Sequence, residues 1–137
     1  MADTMNTIKA SAKGMRVSPR KVGLVAASVR GRSVEDAIVI LEHTPKRAAL
    51  PLAKLLKSAR ANAVNNHNLT ENSLRITQLQ VVAGPRLKRF NPAAMGRALP
   101  YQKRSSHVYV ELSGEVKAKK PAAEKADAKT AAKKESK

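Results

Sequence analysis

The chain has 137 residues, carries 27 lysines and arginines against 10 acids for a net charge of +17, and contains no cysteine. That length provides for one domain and its tails. The missing cysteines exclude disulfides, thiolate metal sites and a thiol nucleophile, in keeping with a cytoplasmic protein. A compact state so charged repels itself unless a polyanion neutralises it, and no apolar run approaches the roughly 18 residues a membrane-spanning helix needs, so nucleic acid leads and a membrane surface falls away.

The N-terminal "MADTMNTIKASAKGMRV" lacks the apolar run of a secretory signal, and the segment before Ser18 can add an edge strand. Residues 19 to about 67 read as three helices. Val22, Val25, Ala26 and Val29 share one face. Val34, Ala37, Ile38 and Leu41 repeat the spacing, and Leu52, Leu55, Leu56, Ala59 and Ala63 continue it. Ser18-Pro19 supplies a cap and a first-turn proline, and Ser33 precedes Asp36 in a capping arrangement. Thr44-Pro45 reads as a second Ser18-Pro19 device opening the third helix, and Pro51 then either bends that helix near its entry, the favoured reading, or marks where its regular part begins. The helix ends in "NAVNNHN", where an asparagine tolerates a left-handed terminus. Leu74 and Ile76 then alternate, Leu79 and Val81 alternate in the opposite phase, and a bulge is expected near Thr77-Gln78. Val108, Val110 and Leu112 alternate cleanly. The expected class is α+β: a small three-helix and antiparallel-sheet body.

Between the strand patterns lies "GPRLKRFNPAAMGRALPYQKR", residues 84 to 104, with Arg86, Lys88, Arg89, Arg97, Lys103, Arg104, three prolines and no acid. Unstructured loops of this length are uncommon in compact domains, so the stretch reads as one long protruding β-hairpin; ten residues out and ten back reach about 30 Å. It has neither an apolar face to pack nor acids to pair with its own charges, so its partner is anionic. From Glu115 onward the chain is Lys/Ala-rich, with eight lysines against four acids, and reads as a disordered basic tail. The organisation is therefore a domain over residues 1–114, with a body of 1–83 and 104–114 and a hairpin of 84–103, followed by a tail of 115–137.

Two helix starts carry cations where the dipole disfavours them: Arg20 and Lys21 after Ser18-Pro19, and Lys46 and Arg47 after Thr44-Pro45. Phosphate would turn both into contacts, because helix N-termini and basic side chains attract it alike. Phe90, Tyr101 and Tyr109 are the only aromatics, too few to form a stacking platform for single strands. Binding should rest on backbone charge and shape. His43, His67 and His107 stand apart from one another, with no paired carboxylates or metal spacing. His43 reads as lying near a helix end, His67 as part of a helix-terminating turn, and His107, beside Ser105 and Ser106, as an RNA or strand contact.

"SPRKV", "SARANAVNNH" and "GPRLKRFNPAAMGRALPYQKRSSHVYV", in that order and spacing, resemble the bacterial-type large-subunit ribosomal protein twenty-two family over roughly residues 8 to 113. The resemblance implies a small α+β body with one very long hairpin. It implies a structural constituent of the large ribosomal subunit that binds the large ribosomal RNA, assists subunit assembly and sends its hairpin tip to the nascent-peptide exit tunnel. The implied RNA-binding residues are Lys9, Lys13, Arg16, Ser18, Arg20, Lys21, Lys46, Arg47, Asn62, Asn65, Asn66, Arg86, Lys88, Arg89, Arg97, Lys103, Arg104, Ser106 and His107. The implied tunnel-lining tip is Leu87, Lys88, Arg89, Phe90, Asn91, Pro92, Ala93, Ala94 and Met95, where the family's macrolide-resistance changes fall. Partners would be large-subunit ribosomal RNA, neighbouring ribosomal proteins and the nascent peptide, with no cofactor, metal, membrane or homo-oligomer. The chain departs from the family pattern at Ala93, Ala94 and Met95, where basic residues are common, and at Leu99-Pro100, where an acid is usual.

Two readings from other classes compete. A histone-like architectural DNA-binding protein would also be small and basic, with a proline-tipped arm, but it would need a dimer-forming apolar surface. A nuclease would need a catalytic cluster that these residues do not supply.

Overall fold

The computed structural model describes residues 6–116 of the chain. It holds strands β1 (Asn6–Met15), β2 (Arg75–Pro92) and β3 (Ala98–Gly114) and helices α1 (Pro19–Val29), α2 (Val34–His43) and α3 (Ala49–His67). The strands form one antiparallel sheet in the order β1-β3-β2. The N-terminal segment is thus an edge strand, pairing Ile8 with Leu112 and Ala12 with Val108. The helices cover one face: α1 lies on β2 and β3, α3 lies on β1, and α2 packs on α3.

The apolar spacing explains that layering. Each set of residues expected on a helix face is buried: Val22, Val25, Ala26 and Val29 on α1, Val34, Ala37, Ile38 and Leu41 on α2, and Leu52, Leu55, Leu56, Ala59 and Ala63 on α3. Ile76, Leu79, Val108, Val110 and Leu112 meet them from the sheet. The phase change in β2 is a bulge: Ile76 pairs with Leu112 but Gln78 with Glu111, so Thr77 is the extra residue. Its hydroxyl donates to Ser113 Oγ at 2.8 Å.

Helix ends follow the sequence signals in three places and depart from them in one. Ser18 caps α1 by position, with Pro19 following, although its side chain makes no cap bond. The Ser33 hydroxyl accepts from the Asp36 N–H at 3.2 Å and donates to the Asp36 carboxylate at 2.6 Å. Asn68 closes α3 in the left-handed region at φ 51°. Thr44-Pro45, by contrast, does not open α3. Thr44 terminates α2, its Oγ1 donating to the Ile40 carbonyl at 2.6 Å. Helix α3 begins at Ala49, which puts Pro51 third in the first turn. N–H groups there have no intrahelical acceptor, so the proline removes nothing and no bend is required.

A second bulge lies where the sheet leaves the helices. Ala83 pairs with Ser106 and Arg86 with Arg104, so Gly84 and Pro85 together oppose Ser105. A Cβ on Gly84 would stand 2.6 Å from Ser105 Oγ and 3.2 Å from its carbonyl carbon, so glycine permits this close crossing. Beyond it, seven pairs from Arg86↔Arg104 to Pro92↔Ala98 continue the ladder, carrying the tip roughly 23 Å onward at about 3.3 Å per residue. Met95 (φ 59°) and Gly96 (φ 69°) turn the chain back. At the other end, the Thr70 N–H donates to the Glu115 carbonyl at 2.9 Å and Leu69 bridges to Val116. Ordered pairing therefore runs two residues into the stretch read as tail; the rest of that stretch, 117–137, lies outside the described residues.

Leu56 of α3 is 1% exposed in the apolar core, so Leu56→Ala should cost about 2–5 kcal/mol through lost transfer energy and an unfilled cavity. Urea unfolding checks this: the midpoint should fall at constant slope.

Candidate nucleic-acid interface

Arg16 leaves the end of β1, Lys21 sits in the first turn of α1, and Arg47 lies in the α2–α3 connection. Arg89 and Lys103–Arg104 come from the two arms of the finger. These stretches are far apart in sequence, yet the fold brings them together. Arg16, Arg47, Leu87, Arg89, Lys103, Arg104 and Ser105 line a hollow of about 560 Å³. Arg16, Val17, Ser18, Lys21, Arg47, Gln102 and Arg104 line a contiguous one of about 320 Å³. No carboxylate faces either. Among the described residues the ion pairs are Lys9–Glu111, Lys57–Glu42 and Arg60–Glu71, so the hollow's cations have no acidic partner in the fold.

The finger reinforces the pattern. Arg86 stands directly opposite Arg104, a like-charge cross-strand pair that destabilises an isolated ladder. Register places Leu87, Arg89 and Lys103 on one face, and these, with Arg104 at the root, line the larger of the two hollows. Lys88 and Arg97 are exposed, as are the tip residues Leu87, Asn91, Pro92 and Ala94, while Ala93 is half-buried. Met95 is 94% exposed and Phe90 68%. The Ala93 N–H donates to the Arg97 carbonyl at 2.7 Å, closing the tip.

The remaining expected residues fall into two further groups. Asn62, Asn65 and Asn66 of α3 meet Lys9 of β1 across a groove of about 480 Å³, with the Asn66 amide donating to Asn62 Oδ1. Lys9 also pairs with Glu111 at 3.1 Å. Lys13, Arg20 and Lys46 are exposed. Lys46 and Arg47 precede α3 by a turn instead of sitting in its first turn, because the helix starts later than Thr44-Pro45 implies. His107 is half-buried and accepts from the Gly14 N–H at 2.9 Å through Nδ1, making it a strand contact. Ser106 is 0% exposed, and its hydroxyl donates to the Val17 carbonyl at 3.0 Å inside the fold.

The sequence reading passed over Lys54 and Lys57, which join Arg16, Lys46 and Arg47 around a hollow of about 830 Å³ lined also by Met15, Leu41, Leu50 and Pro51. Their three-residue spacing on an amphipathic helix was the available signal. The one acid at this hollow, Glu42, is bound by Lys57 at 2.6 Å. That hydrogen bond, and then the Lys57 charge, hold the Glu42 carboxyl below its ordinary value.

Known proteins place this geometry in context. Residues 10–113 match the family model described as ribosomal protein L22p/L17e. The chain is 50% identical over 102 residues to the large ribosomal subunit protein uL22 of Clostridioides difficile (strain 630), covering 74% of this chain and 92% of that one.

The Glu42–Lys57 pair is itself testable. A carboxylate with a depressed folded-state pKa adds stability above its unfolded pKa and loses that contribution as pH falls through the folded value. At this exposed site the contribution is small. In a carboxyl carbon NMR titration, Lys57→Met should raise the Glu42 midpoint; an unmoved midpoint would mean the pair does not form in solution.

Proposed function

Because the chain belongs to the ribosomal protein L22p/L17e family, and so is a structural, non-enzymatic constituent of the large ribosomal subunit, we propose that its cation-lined hollows and finger are its contact with large-subunit ribosomal RNA. Family membership sets aside the architectural DNA-binding and nuclease readings. The observation that carries the proposal is the convergence of Arg16, Lys21, Arg47, Arg89, Lys103 and Arg104, from four separate stretches of chain, on hollows without an acid. Like charges gathered this way are unfavourable in the free protein and favourable against a phosphate backbone. The scarcity of aromatics fits recognition of folded RNA by shape and charge over base stacking. The Lys9 and Asn62–Asn66 groove would supply a second contact with neutral hydrogen-bonding groups.

The finger's role follows from what it lacks. From Pro85 to Arg104 every residue except Ala93 is exposed, so nothing there supports the body. A segment of this kind serves a purpose only beyond the domain, threaded into RNA. With its apolar Leu87, Phe90 and Met95, the tip is suited to form part of a wall facing the nascent peptide, the role the family resemblance implies. Binding of the body during assembly would then place the finger.

Two measurements test this. Affinity for a structured large-subunit RNA fragment should fall steeply with salt, and replacing Arg20 and Lys21 by Ala should flatten the log–log slope by about one to two units; an unchanged slope would mean both side chains are only solvated. Deleting Leu87, Lys88 and Arg89 should leave the melting temperature and incorporation into large subunits nearly unchanged while altering the response to macrolides. Loss of folding or of incorporation would refute the division between body and finger.

A further inference from the structure

We propose that the hollow at the finger's root is a phosphate-binding clamp whose occupant fixes the direction in which the finger points. The proposal rests on the RNA-binding reading above and adds a mechanism to it. Two observations combine. First, the finger joins the body through a bulge, where Gly84 and Pro85 oppose Ser105, and the Ser105 hydroxyl donates to the Pro85 carbonyl at 2.7 Å. Bulges bend strands and increase local twist, so this junction sets an angle, and one side-chain hydrogen bond is a light restraint on it. Second, the hollow is built from both sides of that junction. Arg16 and Arg47 belong to the body and Arg89 and Lys103 to the finger, with Arg104 at its root.

With no acid in the hollow, these two sets repel each other across the junction, and the empty hollow favours a finger that swings away. A phosphate group reverses the sign. It accepts charge-assisted hydrogen bonds from arginines on both sides at once, and the guanidinium fork suits bidentate phosphate contacts. The site therefore binds phosphate more tightly in the closed arrangement than in the open one. By linkage, a bound phosphate shifts the population toward the closed arrangement. Leu87, on the same finger face, closes against the stems of these arginines when the hollow fills.

The absence of cysteine in the chain permits clean labelling. Met95→Cys at the tip and Val39→Cys on the exposed face of α2 carry spin labels, and pulsed dipolar spectroscopy reads the tip-to-body distance distribution of the full chain. Inorganic tripolyphosphate is one probe, and a structured large-subunit RNA fragment is the other. Sodium chloride at matched ionic strength controls for screening. The expected result is a broad distribution in chloride that narrows with tripolyphosphate and with RNA. In the same labelled protein, Arg16→Ala with Arg47→Ala should abolish the narrowing by tripolyphosphate and flatten the salt slope of RNA binding by about two units. All four altered positions are exposed, so the melting temperature serves as the folding check. Equal narrowing by chloride, or narrowing that survives the double substitution, would overturn the clamp. RNA that binds with full salt dependence while the distribution stays broad would overturn the clamp and leave the RNA-binding reading intact. Failure of RNA to bind at all would overturn both.

Discussion

A β-ladder needs only backbone partners to continue, whereas a domain needs apolar burial, and in this chain the two requirements part at Gly84. Strand β3 runs unbroken from Ala98 to Gly114, yet only its second half has a core beneath it. Ser106, Val108, Val110 and Leu112 are buried there, between the two other strands and under the helices. Before Ser105 the strand keeps its β2 partner and loses everything else. The rest of the architecture depends on this single strand, which is the centre of the body's sheet and one arm of the finger.

That division fixes where stability comes from. The helices and the inner sheet bury one continuous apolar cluster from Ile8 to Leu112. The finger buries nothing, and two-stranded ribbons without a third layer are marginal in water. Its cross-strand neighbours include Arg86 against Arg104, which weakens it further. The body is self-sufficient; the finger's form requires a partner of opposite sign. Six of the cations behind the +17 net charge, with no acid among them, lie in residues 84–104, where internal packing cannot use them.

Much of this was legible in the sequence, because it rests on local periodicities. The helical spacing from Val22 to Ala63 and the bulge at Thr77 are phase relations visible within a few residues. Thr44-Pro45 misled because proline is as much at home just after a helix as in its first turn, and only the tertiary fold shows which helix it serves. Ser106 shows a different signal: counting back by twos from Leu112 through Val110 and Val108 reaches it and places it on the buried face, where it lies. The meeting of Arg16, Arg47 and Lys103 was not legible at all. No local rule links the end of β1, a helix connection and a hairpin arm; the sheet order and the bulge at Gly84 bring them together.

A ribbon that protrudes without cover presents two open edges, since β1 stops pairing with β3 at Ser106. Open edges with exposed apolar side chains are templates for pairing between chains, and Leu87, Phe90, Leu99 and Met95 are all exposed here. The same residues that suit an RNA partner counter that hazard. Pro85, Pro92 and Pro100 remove backbone donors from the edges. Arg86, Lys88, Arg89, Lys103 and Arg104 make any approach of a second copy's finger repulsive. On the proposed RNA-binding reading, cations in the arms act twice, keeping free chains apart before assembly and drawing the finger to phosphate during it. Acids would serve the first role as well but would oppose the second, and this gives a physical reason why the whole of residues 84–104 carries none.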